Sequence, residues 1–434
     1  MNGNQQQLLS RHRAVLPSWL ALYYDEPIEL VRGQGRHVWD GDGTRYLDLF
    51  GGILTTMTGH AVPEVIEAIR EQAGRMLHTS TVYLIRPMVE LAERLVELAP
   101  MPDAKVFFVC SGTEANEAAV LMTTTARRSN QVLALRNSYH GRSFGAMGLT
   151  GNRGWRASSL SPLQVSFVPN GDRLRGPFAG LEDAAFVEAA TDELRTVIET
   201  TTSGDVACML AEPIQGVGGF IVPPDGLFAA FKRVLDEYGI PFVSDEVQTG
   251  WGRTGEHFWG IQAHDVVPDA VTFAKGLGNG MALAGVIARG DLAEAVPANS
   301  ISTFGGNPLS TTAALANLEH LLSNDLQHNA KVVGAHLLDG LRQLAQRSPI
   351  VAEVRGRGLM IGIELVRRGG LEPAPQAASA LLQAAKDAGV LVGKGGLYGN
   401  VIRIAPPLSI TLDEADEALQ AIAQALAEVE EAGA

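Results

Sequence analysis

Two charged residues, each placed directly after an apolar run, suggest the chemistry of this chain. Lys275 follows the run 270–274, and Asp245 follows the run 240–244. Desolvation by apolar neighbours lowers the pKa of a lysine and makes its amine a nucleophile for carbonyl groups, whereas a carboxylate can keep a pyridine nitrogen protonated. The pair therefore predicts Schiff-base chemistry on a pyridine cofactor. A surface salt bridge between the two charges is the simpler alternative.

Two further segments supply candidates for binding such a cofactor. Residues 111–116 (Ser-Gly-Thr-Glu-Ala-Asn) follow a predicted strand and open a helix, where small residues let backbone N–H groups converge on an anion. Gly112 and Thr113 are therefore candidate phosphate ligands, although an ordinary capped turn has the same pattern. Tyr139 and His140 follow the next predicted strand. The tyrosine ring can stack on a planar heterocycle, with core packing as the alternative, and the histidine is predicted to form a wall of the cleft.

The elements that must position these residues are predicted to form an α/β domain. Between about residues 60 and 310, short apolar runs alternate with longer amphipathic stretches, which is typical of parallel strands joined by helices. Ligands bind beyond the carboxyl ends of strands in open α/β sheets, so the residues after each strand should line one cleft. The predicted strands are 106–109, 132–135, 207–211, 242–244 and 271–274.

Other elements are predicted from turn and capping signals. Residues 38–49 indicate a hairpin around a Gly- and Asp-rich turn, and residues 351–365 indicate a strand pair. Helices are predicted at 87–98 and 224–238, and a last helix begins at Thr411, which has capping-box spacing with a glutamate. The stretch 151–180 is predicted to be irregular.

Composition excludes several function classes. The formal net charge of −14 and the pI near 5.2 argue against nucleic-acid binding, which needs a local excess of Lys and Arg. The sequence has no signal-like N-terminus and no apolar run of membrane-spanning length, so a cytoplasmic protein is expected. Cys110 and Cys208 lie beside apolar runs, as buried reduced thiols do. The ten histidines show no metal-ligand spacing, so no metal site is predicted.

The ordered set of motifs resembles the class III, or ω-, aminotransferases, which use pyridoxal 5′-phosphate (PLP) and have the PLP-dependent transferase fold type I. The resemblance covers nearly the whole chain. It rests on the segments 111–116, 139–141, 212–216, 245–250, 274–276 and 303–308. It implies a mainly parallel central sheet in a large domain, 60–314, and a smaller α+β domain built from residues 1–59 and 315–434.

The resemblance also implies roles for individual residues. Lys275 would be the Schiff-base lysine, and Asp245 would pair with the pyridine nitrogen. The other implied cofactor residues are Gly112 and Thr113 at the phosphate, Tyr139 and Val247 on the two ring faces, Gln248 at the ring hydroxyl, and His140 and Glu212 in the wall. Thr303 matches a threonine that reaches the phosphate bound by the neighbouring subunit, which implies a homodimer.

Substrate recognition follows from the same resemblance. Arg403 matches the arginine that binds the substrate α-carboxylate in a bidentate fork. Glu212 matches a glutamate that pairs with this arginine when the substrate has no carboxylate there. Arg142 matches an arginine that binds a second carboxylate in 4-aminobutyrate and ornithine aminotransferases, so the acceptor stays open between pyruvate, glyoxylate and 2-oxoglutarate.

The predicted function is a ping-pong transfer of an amino group from an amino acid or ω-amino acid to a small oxo acid. Segments such as 390–396 look most similar to the alanine-glyoxylate aminotransferase 2 branch, which also contains phosphoethanolamine phospho-lyases, so a PLP-dependent phospho-lyase is the alternative. Residues 250–255 fit G-x-G-x-x-G, with Asp269 about twenty residues later, so an NAD-dependent oxidoreductase is a distant alternative. That fingerprint does not directly follow a predicted strand. A non-enzymatic scaffold is disfavoured because Lys275 and Asp245 are both present.

Overall fold

Three sheets organise the chain. The computed structural model describes residues 3–433. The strands in chain order are β1 Leu30–Gln34, β2 His37–Asp40, β3 Arg45–Asp48, β4 Ala104–Val109, β5 Gln131–Leu135, β6 Gln164–Val168, β7 Cys208–Ala211, β8 Phe242–Asp245, β9 Ala270–Phe273, β10 Ala284–Arg289, β11 Val351–Arg357, β12 Met360–Leu365, β13 Val390–Leu391, β14 Gly393–Gly395 and β15 Val401–Ile404.

Helices connect and cover these strands. In chain order they are α1 Gly3–Val15, α2 Gly51–Leu54, α3 Pro63–Arg75, α4 Arg86–Glu97, α5 Gly112–Arg127, α6 Phe144–Gly148, α7 Asp183–Thr201, α8 Leu227–Glu237, α9 Gly290–Ala293, α10 Pro308–Ser323, α11 Leu326–Ala345, α12 Pro375–Asp387 and α13 Leu412–Glu431. Short 3₁₀ segments lie at Arg153–Trp155, Gly260–His264 and Lys275–Gly278. The capping box that predicts the start of the last helix is confirmed, because Thr411 and Glu414 exchange side-chain and backbone hydrogen bonds.

The large central sheet has the strand order β4-β10-β9-β8-β7-β5-β6. Strand β10 is antiparallel to both of its neighbours, and the other six strands run in one direction. The prediction of a mainly parallel sheet is therefore confirmed. Every residue of β5, β7, β8 and β9 is buried, as expected for strands covered on both faces.

Two strands of this sheet differ from the sequence prediction. Strand β6 lies inside the stretch that we predicted to be irregular; it is an edge strand, paired only with β5 and mostly half-exposed, so its apolar signal is weak. Strand β10 contains Ala and Gly, which have low strand propensity. Its Gly285 packs so tightly that an added Cβ would lie 2.5 Å from the Phe107 carbonyl oxygen and 2.6 Å from the Phe273 ring.

Both chain ends contribute to smaller sheets. The predicted hairpin at 38–49 is confirmed as β2 and β3, and β3 also pairs in parallel with β13 from the C-terminal region. The predicted pair at 351–365 is confirmed as β11 and β12, which continue into β15 and β14. The N-terminal segment and the C-terminal region thus share one sheet, while the boundaries at 59 and 314 stay predictions.

Some properties of the described residues bear on the excluded function classes. Neither cysteine forms a disulfide; Cys208 is buried, but Cys110 is only partly buried, which corrects the expectation for that residue. From residue 3 to residue 433, no helix combines the length and apolar composition that crossing a membrane requires. Within the same limits, no group of three His, Cys, Asp or Glu side chains is arranged to hold a metal ion.

Candidate active site

One cavity lies at the carboxyl ends of the central strands. It has a volume of about 230 Å³, somewhat below the roughly 300–1,000 Å³ of typical small-molecule pockets. Segments that follow β4, β5, β7, β8 and β9 each contribute to its wall. The lining residues are Gly112, Thr113, Asn116, Tyr139, His140, Gly141, Arg142, Glu212, Asp245, Val247, Gln248 and Lys275.

Lys275 lies directly beyond β9, where the backbone makes a sharp change of direction. Its φ of 48° is in the left-handed region, which is uncommon for a residue with a Cβ and recurs at functional sites. Burial lowers the pKa of its amine from 10.5 to about 8; nearby Asp245 opposes this shift, and Arg403 reinforces it. An amine with this pKa is partly uncharged at neutral pH and can attack a carbonyl group.

Asp245, the last residue of β8, is held by three donors. Its Oδ2 accepts hydrogen bonds from Asn116 Nδ2 and His140 Nδ1, both at 2.8 Å, and its Oδ1 accepts from the Val247 N–H at 3.1 Å. The residue is only 4% exposed. Because Asp245 is buried and pairs with His140, the alternative interpretation of Asp245 and Lys275 as a surface salt bridge is wrong.

Asn116 is a site residue to which the sequence analysis assigned no role. It lies on the first turns of α5, is 1% exposed, and uses all of its side chain: Nδ2 donates to Asp245 and to the His140 carbonyl, and Oδ1 accepts from the Thr272 hydroxyl. A buried asparagine inside an Ala-rich helix needs such partners, because burial without hydrogen bonds is costly. That mismatch of residue type and surroundings was the available signal.

Tyr139, Val247 and Gln248 line the same cavity as Lys275 and Asp245. Gln248 is 8% exposed, and its Oε1 is buried without a hydrogen-bond partner among the described residues. Because Gln248 is one of the residues that line the cavity, a molecule bound there would be placed to supply the missing donor. A pyridine ring with a hydroxyl group would provide this donor, and the two remaining side chains would provide apolar contact. The residues present therefore fit PLP.

The start of α5 offers the site for a phosphate. Gly112 and Thr113 are the first two residues of this helix, so their N–H groups have no intrahelical acceptor. Ser111 caps the helix by accepting the Glu114 N–H. Helix N-termini favour anions, because the exposed N–H groups and the helix dipole point the same way.

Arg403 lies outside the lining of this cavity but close to it, on β15. Its guanidinium is stacked between the rings of Phe50 and Phe220, with centroids 4.9 and 5.3 Å away. The side chain is 2% exposed, Nη1 donates to the Gly216 carbonyl, and Nε has no partner among the described residues. Burial lowers the pKa of the guanidinium, and the Tyr23 phenol beside it opposes this effect.

Glu212 has partners other than those expected. Its two carboxylate oxygens accept the N–H groups of Tyr139 and Gly216, at 3.0 and 2.7 Å. Burial, with a contribution from the Asp245 charge, raises the pKa of Glu212 to about 7. In the described chain Glu212 forms no ion pair with Arg403, and the guanidinium is left without a carboxylate partner.

Two predicted residues lie at the periphery. Arg142 lines the cavity but is exposed, and its guanidinium lies 5.4 Å from the centre of the Trp19 ring. Thr303 does not line this cavity. It is exposed and borders a separate groove of about 670 Å³, together with Cys110, Glu117 and Ser143. A single chain therefore does not bring Thr303 to the candidate phosphate site.

The glycine motif at 250–255 has a structural explanation. It forms turns rather than the start of a helix, and its glycines pack against α11: a Cβ on Gly252 would meet Gln327 at 2.7 Å, and one on Gly255 would meet Lys331 at 2.6 Å. Arg253 in the same motif is buried and donates to the carbonyl groups of Leu359 and Pro406. The segment joins the central sheet to the C-terminal region and does not form a dinucleotide-binding turn.

Known proteins are similar to this chain over almost its whole length. A relative from Arabidopsis thaliana, alanine-glyoxylate aminotransferase 2 homolog 2, mitochondrial, is 40% identical over 96% of this chain and 86% of its own length. The crystal structure of a thermostable (S)-enantioselective ω-transaminase from Thermomicrobium roseum superimposes with a TM-score of 0.91 at 35% identity, covering 99% of this chain and 100% of the other. A phospholyase from Arthrobacter, in complex with phosphoethanolamine, superimposes with a TM-score of 0.89 at 31% identity, covering 97% and 99%.

The family assignment itself rests on most of the chain. The family model for class III aminotransferases matches residues 22–426. This range contains the cavity, its lysine and carboxylate, and the buried arginine of β15. The chain belongs to the class III aminotransferases, a family of PLP-dependent enzymes.

Proposed function

We propose that this enzyme moves an amino group from an amino acid or ω-amino acid to a small oxo acid, in two half-reactions at one site. The observation that carries the proposal is that the buried guanidinium of Arg403, near Lys275, has no carboxylate partner among the described residues. A buried charge without a counter-charge is costly, so it indicates a place where a substrate carboxylate completes the pair. Donor and acceptor both carry such a carboxylate.

The chain's own residues then divide the work. When bound, PLP supplies a carbonyl group for the lysine and a ring that withdraws electrons from the reacting carbon. Asp245 would pair with the ring nitrogen, and Asn116 and His140 hold the carboxylate in place for that contact. Lys275, once released by the donor, would move a proton from the amino-bearing carbon to the carbon that was the cofactor's carbonyl carbon, and it would move a proton in the opposite direction in the second half-reaction. Val247 and Tyr139 exclude water from the two ring faces.

The first experiment separates transamination from lyase activity. The purified holoenzyme is mixed with alanine, β-alanine, 4-aminobutyrate, ornithine or phosphoethanolamine, in turn and without any oxo acid, while its visible spectrum is recorded. We expect one or more of the amino acids to convert the cofactor to its amine form with release of a stoichiometric amount of oxo product. An unchanged spectrum with all five donors would contradict the proposal.

A phospho-lyase is the second candidate, supported by the similarity to the Arthrobacter phospholyase. In that case phosphoethanolamine would release phosphate over many turnovers, the cofactor spectrum would recover after each turnover, and no amine form would accumulate. The same experiment with a phosphate assay therefore decides between the two candidates.

Arg403 is expected to recognise the carboxylate of the acceptor. The Arg403→Met variant should lower kcat/KM for pyruvate by about 10- to 100-fold, since a hydrogen bond to a charged group contributes about 1.5–3 kcal/mol. With propanal, which has no carboxylate, kcat/KM should stay within about twofold. Steady-state kinetics with both acceptors measures the contrast, and equal losses for pyruvate and propanal would contradict it.

Arg142→Met is a matched control at the exposed side of the cavity. If Arg142 binds a second carboxylate, this variant should weaken 2-oxoglutarate and leave pyruvate unchanged. Equal kinetics with 2-oxoglutarate before and after the substitution would remove Arg142 from recognition and favour a monoacid acceptor.

The lowered pKa of Lys275 predicts how the apo protein captures PLP at different pH. Only the uncharged amine attacks, so the capture rate should rise about tenfold per pH unit below 8 and level off above about 8. Stopped-flow absorbance from pH 6 to 10 measures this profile, with Glu212 as a second titrating group near pH 7. A rate that rises steadily to pH 10 would show an unperturbed lysine.

We also propose that the enzyme works as a homodimer in which Thr303 reaches the phosphate of the partner. The exposed position of Thr303, beside the exposed apolar side chains of Ile301 and Phe304, supports this proposal. Sedimentation of the holoenzyme should give twice the mass of one chain, and a monomer with full activity would contradict the proposal.

A further inference from the structure

A hydrogen-bond network of three side chains, Thr113, Ser143 and Glu117, lies beside the candidate phosphate site. The hydroxyls of Thr113 and Ser143 are 2.7 Å apart, and the Ser143 hydroxyl is 2.6 Å from Oε1 of Glu117. Thr113 and Glu117 are on α5, and Ser143 belongs to the loop 141–143 that follows β5. This network therefore joins the start of α5 to the loop that carries Arg142.

The number of hydrogen bonds that each oxygen makes determines which hydroxyl group is the donor in each of them. Glu117 Oε1 already accepts the N–H groups of Gly145 and Ala146, at 2.9 and 3.1 Å, so it also accepts from Ser143. The single hydroxyl proton of Ser143 is then used, and the proton between the two hydroxyls must come from Thr113.

The oxygen of Thr113 is fully used as well. It accepts the N–H groups of Arg142 and Ser143, both at 3.2 Å, and a hydroxyl has two acceptor positions and one proton. Thr113 therefore has no side-chain proton left for a phosphate, whereas its backbone N–H at the start of α5 has no intrahelical acceptor.

The loop also lies unusually close to Thr113. Gly141 has a φ of 133°, and a Cβ there would lie 2.3 Å from Thr113 Oγ1. Only glycine allows this approach. The hydroxyl and the loop are thus built around each other.

We propose that Glu117, acting through Ser143, is a positioning residue for the cofactor site. The hydrogen-bond network turns the Thr113 hydroxyl toward the loop 141–143, and the phosphate is bound by backbone N–H groups instead of this hydroxyl. The network also fixes the backbone of Arg142 at the mouth of the cavity. The inference depends on PLP binding in this cavity and not on which donor or acceptor is used.

The test measures the affinity of apo protein for PLP and for pyridoxal, which lacks the phosphate. Thr113→Val and Ser143→Ala should each weaken PLP binding about three- to tenfold, the effect of one net hydrogen bond. The ratio of the PLP and pyridoxal affinities should not change, because the hydroxyl does not contact the phosphate. If Thr113→Val lowers this ratio tenfold or more, the hydroxyl is a phosphate ligand and the inference is wrong.

A double variant tests whether the three residues act as one hydrogen-bond network. Thr113→Val with Ser143→Ala should cost no more than either change alone, since breaking one link already frees the loop; multiplied losses would overturn the inference. Glu117→Ala should match Ser143→Ala, and Glu117→Gln, which keeps an acceptor at Oε1, should restore affinity. Thr124→Val removes a hydroxyl from the same helix that bonds only within α5, so it should leave PLP affinity unchanged.

Discussion

The Lys275→Ala variant is expected to lose at least about 10⁴-fold in turnover, because it removes both the nucleophile and the group that moves the proton. It should still bind PLP noncovalently, since the other cavity residues are unchanged. Borohydride reduction followed by peptide mass analysis makes the assignment independent of substrate. In the wild type the cofactor should become fixed to the peptide that contains Lys275, and in the variant to no peptide.

Lys105→Ala is the control for this experiment, because Lys105 is an exposed lysine on β4 in a surface ion pair with Glu294. It should behave as the wild type in both assays. Addition of methylamine should partly restore the donor half-reaction of Lys275→Ala. Turnover of Lys275→Ala within tenfold of the wild type would refute the assigned role.

The Asp245→Asn variant is expected to slow the donor half-reaction by about 10²- to 10⁴-fold, because proton abstraction by Lys275 depends on electron withdrawal by the protonated ring. An amide has no charge to keep the pyridine nitrogen protonated, so the ring withdraws electrons less strongly. The substitution also disturbs the hydrogen bonds from Asn116 and His140. Rapid-mixing absorbance measures the half-reaction, and the melting temperature reports how much of the change is structural.

A modified cofactor isolates the role of the carboxylate. With a PLP analogue that has carbon in place of the ring nitrogen, the wild type should be as slow as Asp245→Asn with PLP. The Asp245→Asn variant should be only slightly slower with the analogue than with PLP, because the contact between the carboxylate and the ring nitrogen is already absent. Losses that multiply would show that Asp245 acts by some other route.

The sequence predicts the central part of this enzyme well, for physical reasons. The strands β5, β7, β8 and β9 are buried on both faces, so each reads as a continuous apolar run, and the functional residues follow them directly. Weakly apolar β6 and the Gly- and Ala-containing β10 lack this signal, which is why both were missed.

Partners at long range were harder to predict. Glu212 accepts hydrogen bonds from two backbone N–H groups, those of Tyr139 and Gly216. The second of these forms only because the turn at Gly216 folds back toward Glu212, and the pattern of residue types does not predict this turn. Likewise, Asn116 acquires its role only when α5, β8 and β9 come together. Residue types indicated the chemistry, whereas the hydrogen-bond partners required coordinates.

The pairing of β3 with β13 has a consequence for the synthesis of this enzyme. Strand β3 is translated more than 300 residues before its partner, Val390–Leu391. Lys275 and Asp245 are translated well before Arg403, which lies still further along the chain. Every residue that lines the cavity is therefore translated before the arginine proposed to select the substrate, and β3 has no partner strand from the C-terminal region until residues 390–391 have been made.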